Sequence, residues 1–321
     1  MSQPLVSVVL PTYKRAHLLA QAMRSVLAQT YANLELIVVD DNSPDDTANV
    51  VASFDDPRIR YVKNDPNLKL PRALNRGFSL AKGTFLTWTS DDNLLAPNAI
   101  EKMVASLSQG DCDFVYADYW LFSEQAADGT PLEPQHDRLP GMLQLEKGNH
   151  IGACFLYTRR LYESVGDYDP ELFLVEDYDY FIRAAKHFRF CHIAEPLYYF
   201  RRDEDTLYLS RFPEVKASDV LIRHKNGLLD EERLIDAMVA LIMRKPAGLK
   251  PAFLRHALEL AAGRSYRLTT LLQRWVRQHL KRAMAREVGG LLVGYRDGAR
   301  TFKDTRDALA ACMQRHGRIE Y

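Results

Sequence analysis

The first 120 residues alternate short apolar runs with stretches of helical periodicity, and this alternation constrains the fold more than any other feature. Short connections between such elements are typical of a parallel sheet covered by helices. We therefore predict an α/β fold for this part of the chain. The predicted strands are Leu5–Leu10, Leu34–Val39, Ile59–Val62 and Thr84–Thr89, and the helices between them are Ala16–Gln29, Val50–Phe54 and Arg72–Ala81.

Beyond Pro97 the pattern is less regular, and after Asp219 it is helical only. We predict two parts: a sheet-containing domain over residues 1–215 and a helical region over residues 216–321. The intervening elements are predicted as helices at Asn98–Leu107 and Glu176–Lys186, strands at Phe114–Trp120 and Cys191–Arg202, and a polar loop at Ala126–Gln135.

Composition sets the compartment that we expect. Hydrophobic side chains make up 47% of the chain, which is ample for a core, and no apolar run reaches the roughly 18 residues of a membrane span. The first residues lack the pattern of a secretory signal. The four cysteines are scattered without a C-x-x-C pair. We expect a cytoplasmic protein whose cysteines are reduced thiols.

The net charge is zero, but basic and acidic side chains are distributed unevenly along the chain. Residues 241–321 hold 17 basic and 6 acidic side chains, a balance of +11, so residues 1–240 balance at −11. Within this region one predicted helix carries arginines beside an apolar stripe. It could be an in-plane membrane anchor on anionic lipid or a helix packed on the protein. No nucleic-acid recognition motif is present. The stripe comprises Leu268, Leu271, Leu272, Trp275, Val276, Leu280 and Met284.

Paired carboxylates follow two of the predicted strands. Asp40-Asp41 and Asp91-Asp92 would meet at one edge of a parallel sheet, where ligands of such sheets bind. A single such pair is more often a turn or a helix cap. Both pairs together suit Mg²⁺ or Mn²⁺ and a substrate diphosphate. Because neither common glycine-rich phosphate loop occurs, a nucleotide would be held through its base, its ribose and a metal.

Several ordered motifs resemble those of family 2 inverting glycosyltransferases, which have the GT-A fold. The resemblance covers roughly residues 4–206. It implies a GT-A catalytic domain with a helical C-terminal extension. The motifs are VSVVLPTYKR, SVLAQTYANLELIVVDDNSPDDT, AKGTFLTWTSDDNLLAPNAI, VGDYDPELFLVEDYDYFIRAA and PLYYFRR.

The resemblance implies a nucleotide site at the ends of the first strands. Asp41 takes the position that holds the imide of the base, with Asp40 beside it. An Asp can accept the N–H of uracil, thymine or guanine. For Arg72 a solvated helix surface is an equally good interpretation. The other positions that match the nucleotide pocket are Pro11, Thr12, Tyr13, Arg15, Asn75 and Asp91.

The resemblance also implies a metal, Mn²⁺ or Mg²⁺, at the Asp-x-Asp motif. Asp92 matches the metal ligand, and Ser90 stands where the first Asp is usual. A histidine common after the last motif is absent. Asp203 either replaces it as a ligand or leaves the metal without a ligand from this loop.

The catalytic base implied by the resemblance is Asp177, in a Glu-Asp motif with Glu176. It opens a predicted helix, whose dipole is expected to lower its pKa. A cap and first turn of a helix would give the same sequence. Glu176 is also a candidate acceptor residue. His150 matches an acceptor-side loop, although a lone histidine is more often structural.

We therefore predict an inverting glycosyltransferase. Its donor would be a UDP-, dTDP- or GDP-sugar and its acceptor a hydroxyl of a glycan or of a lipid-linked molecule, in synthesis of surface polysaccharide or glycolipid. The alternative is a non-catalytic GT-A-like binding or scaffold subunit, which Ser90 and the missing histidine favour. A nucleotidyltransferase would need a phosphate loop that this sequence lacks.

Overall fold

A computed structural model describes residues 3–203, 206–244 and 266–316. The chain divides into two compact units, Met1–Thr206 and Leu207–Tyr321. The boundary predicted at residue 215 falls later in the sequence, within the helix Phe212–Lys225.

The first unit contains a mixed sheet flanked by helices. In the described residues its strands are ordered β3-β2-β1-β4-β8-β6-β9-β5, with β7 paired to β6. The strands are β1 (Val6–Thr12), β2 (Leu34–Asp40), β3 (Ile59–Lys63), β4 (Phe85–Trp88), β5 (Leu94–Leu95), β6 (Phe114–Phe122), β7 (Gln135–Asp137), β8 (Phe155–Thr158) and β9 (Phe190–Arg201). The helices are α1 (Ala16–Leu27), α2 (Thr47–Ala52), α3 (Leu70–Phe78), α4 (Ala99–Ser108), α5 (Arg159–Val165) and α6 (Glu176–Ala185).

Strand direction decides where polar side chains meet. β3, β2, β1 and β4 are parallel, as the alternation predicts. β8 runs antiparallel to both β4 and β6, and β9 is parallel to β6. Six strands therefore point the same way, and their carboxyl ends share one edge of the sheet.

Buried apolar side chains hold both faces of the sheet. All seven residues of β1 are buried. One face is covered by α1 through Leu19, Met23 and Val26. On α3, Gly77 allows close approach, because a Cβ atom there would lie 2.3 Å from Cγ1 of Val9. The core thus fixes β1 and β2, whose ends carry the candidate site.

The structure extends the first predicted strand. β1 continues through Pro11 to Thr12, whereas the sequence predicts that Pro11 ends it. β1 pairs with β4 only as far as Val9, so at Pro11 the strand has β2 as its sole ladder partner. A residue without an N–H group is tolerated at such an edge position.

The prediction of unpaired cysteines is wrong for one pair. Cys112 and Cys191 form a disulfide, with Cα atoms 6.0 Å apart, while Cys154 and Cys312 are free. The pair is separated by 79 residues in sequence. It comes together because β6 and β9 are parallel neighbours in which Val115 lies opposite Cys191. Sequence spacing alone carries no sign of that pairing.

The second unit is helical in its described residues, as predicted. Val276, Leu280, Met284 and Val288 recur every fourth residue along α10 and are buried against α9 and α11. Three of the seven residues of the proposed stripe, Val276, Leu280 and Met284, therefore pack within the unit. The side chains of Leu268, Leu271 and Leu272 lie outside the described residues. The helices are α7 (Leu207–Ser210), α8 (Phe212–Lys225), α9 (Glu231–Arg244), α10 (Tyr266–Arg296) and α11 (Phe302–His316).

Trp275 differs from Val276, Leu280 and Met284 and is 55% exposed. Arg274, Arg282 and Arg286 are exposed as well. Across residues 3–203, 206–244 and 266–316, every helix is too short or too polar to span a bilayer.

Candidate active site

The acidic pair after β2 is held by hydrogen bonds from its own chain. Asp40 is fully buried, and its Oδ1 accepts from the Ser43 N–H at 2.7 Å. Its Oδ2 accepts from the Tyr61 hydroxyl at 2.7 Å. Burial raises the pKa of Tyr61, and the bond to Asp40 adds to the rise. Asp40 therefore stabilises the turn that follows β2 through its bond to Ser43.

Asp41, the predicted base-binding residue, organises the segment before α3. Its Oδ1 accepts from the Leu68 N–H and the Asn64 amide, at 2.8 and 2.9 Å, and its Oδ2 accepts from the Lys69 N–H at 2.8 Å. A carboxylate offers about four acceptor positions. Three are used by the chain, so one on Oδ2 remains for a ligand's N–H.

The segment after β1 runs beside this pair. The N–H of Asp41 donates to the Thr12 carbonyl at 2.9 Å, and the Lys14 N–H donates to Ser43 Oγ at 3.1 Å. Tyr13 is 42% exposed between them. An exposed aromatic ring on a rigid edge is a suitable surface for a nucleotide base. The segment that contains Pro11, Thr12 and Tyr13 thus meets Asp41 through the backbone of Thr12.

The second acidic pair, Asp91-Asp92, stands three and four residues after the end of β4, and its partners differ. Burial, with the charge of Asp92 added, raises the pKa of Asp91 to about 7. Burial also raises the pKa of Asp92, opposed by the Arg15 guanidinium, which forms a salt bridge with its Oδ2. Two adjacent buried carboxylates that repel each other gain from an added cation. Arg15 supplies one positive charge.

The loop after β9 contributes to the same cluster. The backbone N–H of Arg201 donates to Asn93 Oδ1 at 2.8 Å, and its guanidinium approaches Asp203 Oδ2 at 3.4 Å. The other oxygen, Oδ1 of Asp203, is buried and has no hydrogen-bond partner among residues 3–203, 206–244 and 266–316. A buried, unpartnered carboxylate oxygen is a costly feature unless a ligand satisfies it.

This donor set fits a hard divalent cation. Carboxylate oxygens suit Mg²⁺ or Mn²⁺, which are often held by one or two carboxylates together with substrate phosphates. In the described residues Asp91, Asp92 and Asp203 do not bring their oxygens within 4.8 Å of one another. From these residues such a cation would take only part of its coordination shell, from Asp92 and from Oδ1 of Asp203.

The Glu-Asp pair opens α6, whose N-cap is Val175. Asp177 keeps some solvent contact, yet the protein packed around it raises its pKa to about 6. The expected lowering by the helix dipole is wrong, because desolvation outweighs it. Burial, with the charge of Asp177 added, raises the pKa of Glu176 to about 8. Between these values Glu176 keeps its proton while Asp177 is ionised.

Two donors orient Asp177. The Tyr178 N–H donates to its Oδ1 at 2.6 Å, and Asn149 Nδ2 donates to its Oδ2 at 3.1 Å. Both bonds favour the ionised form. The predicted acceptor residue His150 follows Asn149 on the same loop and is half-buried. Asn149 was missed by sequence reasoning, because only the fold brings it to Asp177.

Asp177 is linked to the end of β4 through a buried tyrosine. Burial raises the pKa of Tyr168 well above its ordinary value; the charge of Asp177 adds to the rise, and Trp88 opposes it. Trp88 is the last residue of β4, four positions before Asp92. Tyr168 is therefore influenced both by Asp177 and by the last residue of β4.

Two predicted nucleotide residues make other contacts. Arg72 forms an exposed ion pair with Glu171, with Nη2 and Oε1 3.1 Å apart. Asn75 bonds both backbone groups of Tyr168: its Nδ2 donates to the carbonyl at 2.8 Å and its Oδ1 accepts from the N–H at 2.9 Å. Asn75 thus fastens α3 to the segment that leads into α6.

Left-handed backbone conformations cluster at these loops. Lys14, Asn42, Lys69 and Leu174 have φ values of 59°, 66°, 69° and 89°. The Lys69 N–H bonds Asp41, and the Leu174 N–H bonds Glu176 Oε2 at 2.9 Å. For residues other than glycine such conformations are concentrated at functional sites. No turn-forming residue type marks Lys14, Lys69 or Leu174 in the sequence.

The fold and this arrangement of carboxylates define a nucleotide-sugar-dependent transferase of the GT-A type. Comparisons with known proteins narrow the class. The model of glycosyl transferase family 2 matches residues 7–166. WcaA of Escherichia coli K12, named for a glycosyl transferase of colanic acid biosynthesis, is 33% identical over 57% of this chain and 67% of its own length. The chain belongs to glycosyltransferase family 2.

Some relatives are longer than this chain. It spans 36% of the length of a glycosyltransferase of Rickettsia felis, which is 32% identical over 69% of this chain. Solved structures share the fold. The mannosyltransferase PcManGT of Pyrobaculum calidifontis, in complex with GDP-Man and Mn²⁺, has a TM-score of 0.56 at 16% identity and covers 88% of this chain and 87% of its own. TarS 1-349 of S. aureus, in complex with UDP, has a TM-score of 0.54 at 15% identity and covers 96% and 90%.

Proposed function

We propose that this protein transfers a sugar from a nucleoside diphosphate to a hydroxyl acceptor with inversion at the anomeric carbon. One observation carries the proposal: Asp177, an ionisable carboxylate oriented by two donors, belongs to the same compact unit as a separate acidic cluster beyond β4. A base on one side and a diphosphate-binding cluster on the other are what an in-line displacement needs.

In this reaction Asp177 takes the proton of the acceptor hydroxyl. The acceptor oxygen forms a bond to the anomeric carbon while the bond from that carbon to the diphosphate breaks. Attack from the opposite face inverts the configuration. With its pKa near 6, Asp177 is ionised at neutral pH and is basic enough to accept a proton as the oxygen attacks.

The donor would be a UDP-, dTDP- or GDP-sugar. The remaining acceptor position of Asp41 suits the imide N–H of such a base, and Tyr13 offers the adjacent ring. Mn²⁺ or Mg²⁺ would be held by Asp92 and Asp203, and when bound it would neutralise charge on the leaving diphosphate. Arg15 and Arg201 lie beside the same carboxylates and would pair with phosphate oxygens.

A donor screen tests the proposal. Nucleotide release is measured from UDP-, dTDP- and GDP-sugars with Mn²⁺, with Mg²⁺ and after exhaustive chelation. We expect turnover with one nucleotide class and its loss on chelation. Nucleotide binding without turnover of any donor, with or without added glycan acceptors, would instead indicate the binding-subunit alternative. Full turnover after chelation would remove the metal assignment.

For the acceptor we propose a glycan or a lipid-linked glycan in the synthesis of cell-surface polysaccharide or glycolipid. An E. coli relative, WfgD, is named for a glucosyltransferase acting on an undecaprenol diphosphate-linked sugar and is 32% identical over 42% of this chain. The second unit could bring the protein to the cytoplasmic face of the membrane that holds such acceptors. Trp275, Arg282 and Arg286 follow each other at spacings of seven and four and so share one exposed face of α10.

Vesicle co-sedimentation tests membrane docking. Binding to anionic vesicles should fall between low and high salt, because screening shortens the Debye length from about 8 Å at 0.15 M to about 3 Å at 1 M. Replacing two arginines of this face, R282Q/R286Q, should weaken binding. The matched control, R277Q/R300Q, removes two exposed arginines elsewhere in the unit. Equal binding to neutral vesicles, or none to either, would contradict the docking proposal.

A further inference from the structure

Three side chains able to bind a metal meet in the second unit, apart from the proposed site for glycosyl transfer. They are Glu287 of α10 and Cys312 and His316 of α11, and one ligand atom from each lies within 4.8 Å of the others. In the parts of the chain that the structure describes, no other group of three His, Cys, Asp or Glu side chains comes so close. Neither the nucleotide site nor the proposed membrane face uses these residues.

The helices place the three groups for a shared ligand. Cys312 and His316 are four residues apart and lie on one face of α11. This spacing is the one by which a helix presents two side chains to a single zinc ion. Glu287 comes from α10, which packs against α11. Its Oε2 lies 3.9 Å from His316 Nε2.

The separations between these ligand atoms are close to those in the coordination shell of a bound metal ion. With bonds of about 2.0 to 2.3 Å, the ligand atoms of a tetrahedral zinc ion lie roughly 3.5 Å apart. Rotations of the Glu287 and His316 side chains would close the remaining gap. Cys312 is fully buried, whereas the side chains of Glu287 and His316 are 35% and 25% exposed. An ion can therefore enter from the solvent side.

We propose that Glu287, Cys312 and His316 form a site for a transition metal of the Zn²⁺ class, with water as the fourth ligand. Binding releases the Cys312 thiol proton and forms a metal–sulfur bond. The thiolate and carboxylate balance the double charge of the ion. A thiolate and an imidazole select Zn²⁺ over Mg²⁺ or Mn²⁺, so this site and the carboxylate cluster of the first unit take different metals.

Two features of the surroundings support a cation here. α11 ends at His316, and the negative end of a helix dipole stabilises positive charge. Arg315 pairs with Oε1 of Glu287 and leaves Oε2 on the side of His316. Such a pairing would orient the carboxylate as an outer-shell partner. The ion would add metal–ligand bonds to the ion pair that already joins α11 to α10.

Cobalt(II) titration of the metal-free, full-length protein tests the site, because a thiolate bound to Co²⁺ gives a charge-transfer absorption that carboxylates do not. We expect the band to saturate at one equivalent, to vanish on addition of Zn²⁺ and to persist with excess Mg²⁺. C312S should abolish the band. C154S, which changes the other free and buried cysteine, should retain it.

Because C312S changes a buried residue and could fail to fold, variants at two partly exposed ligand positions provide a second test. H316Q and E287Q should keep the native circular dichroism spectrum and weaken Co²⁺ binding by more than the roughly 10–100-fold that an outer-shell change costs. Absence of a thiolate band in the wild type would overturn the proposal. A band unchanged in C312S, or affinities unchanged in both H316Q and E287Q, would do the same.

Discussion

The same tripeptide, Asp-Asp-Asn, stands at the carboxyl ends of β2 and β4, the two strands that flank β1. The two copies have different partners in the structure. After β2, Asp40 and Asp41 accept five hydrogen bonds from N–H and O–H groups of their own chain. After β4, Asp92 is paired with the Arg15 guanidinium, and burial raises the pKa of Asp91 to about 7.

The difference lies in the partners. Neutral N–H and O–H donors fill the acceptor positions of Asp40 and Asp41 and hold both side chains in place. Adjacent carboxylates in a buried place, facing arginines, remain able to take up a cation or to exchange partners when a diphosphate arrives. The first pair therefore shapes the nucleotide site, and the second holds charge that a ligand can complete. Sequence identity of a motif does not fix its role; the donors around it do.

The largest effect that we expect concerns a third pair, Glu176-Asp177, in which burial raises the pKa of both side chains, as it does for Asp91. D177N keeps the shape of the side chain but cannot accept a proton, so turnover should fall by roughly 10²–10⁴-fold. The measurement is steady-state turnover with the donor found in the screen. Affinity for the donor, measured by calorimetry, should stay nearly constant. Wild-type turnover in D177N would show that another group is the base and that Asp177 only forms part of the first turn of α6.

Substitutions in the two Asp-Asp-Asn motifs should differ in their effects: the second motif should affect turnover, and the first should affect the free energy of unfolding. D92N should lower turnover by roughly 10²–10³-fold, as does the loss of one electrostatic contact to developing charge, with little loss of stability. D41N turns an NH₂ group toward the Lys69 N–H, and an unsatisfied buried donor costs about 1–3 kcal/mol of the free energy of unfolding. Urea denaturation and turnover are measured on both variants. Equal stability losses would erase the distinction between the motifs.

Much of this arrangement could be predicted from the sequence, for identifiable reasons. Alternating periodicity reveals β1 to β4, and their parallel order puts Asp41 and Asp92 at one edge. What could not be predicted depends on contacts between distant segments. Asn75 bonds Tyr168, Asn149 bonds Asp177 and Cys112 meets Cys191, across 93, 28 and 79 residues. Backbone strain at Leu174 is likewise set by tertiary packing rather than by residue type.

Asn149 gives the finest test of whether hydrogen-bond donors decide the role of a carboxylate. Its amide favours ionised Asp177, which acts as a base only after losing its proton. The pH profile of kcat/KM should therefore fall as the pH drops through about 6. In N149A the pKa of Asp177 rises, so this acid limb should move to higher pH by up to roughly one pH unit. H150A, altered at the next residue, should leave the limb in place and change the KM of the acceptor. An acid limb that moves equally in both variants would trace the effect to the loop rather than to the bond, and an unmoved limb in N149A would show that burial alone sets the ionisation of Asp177.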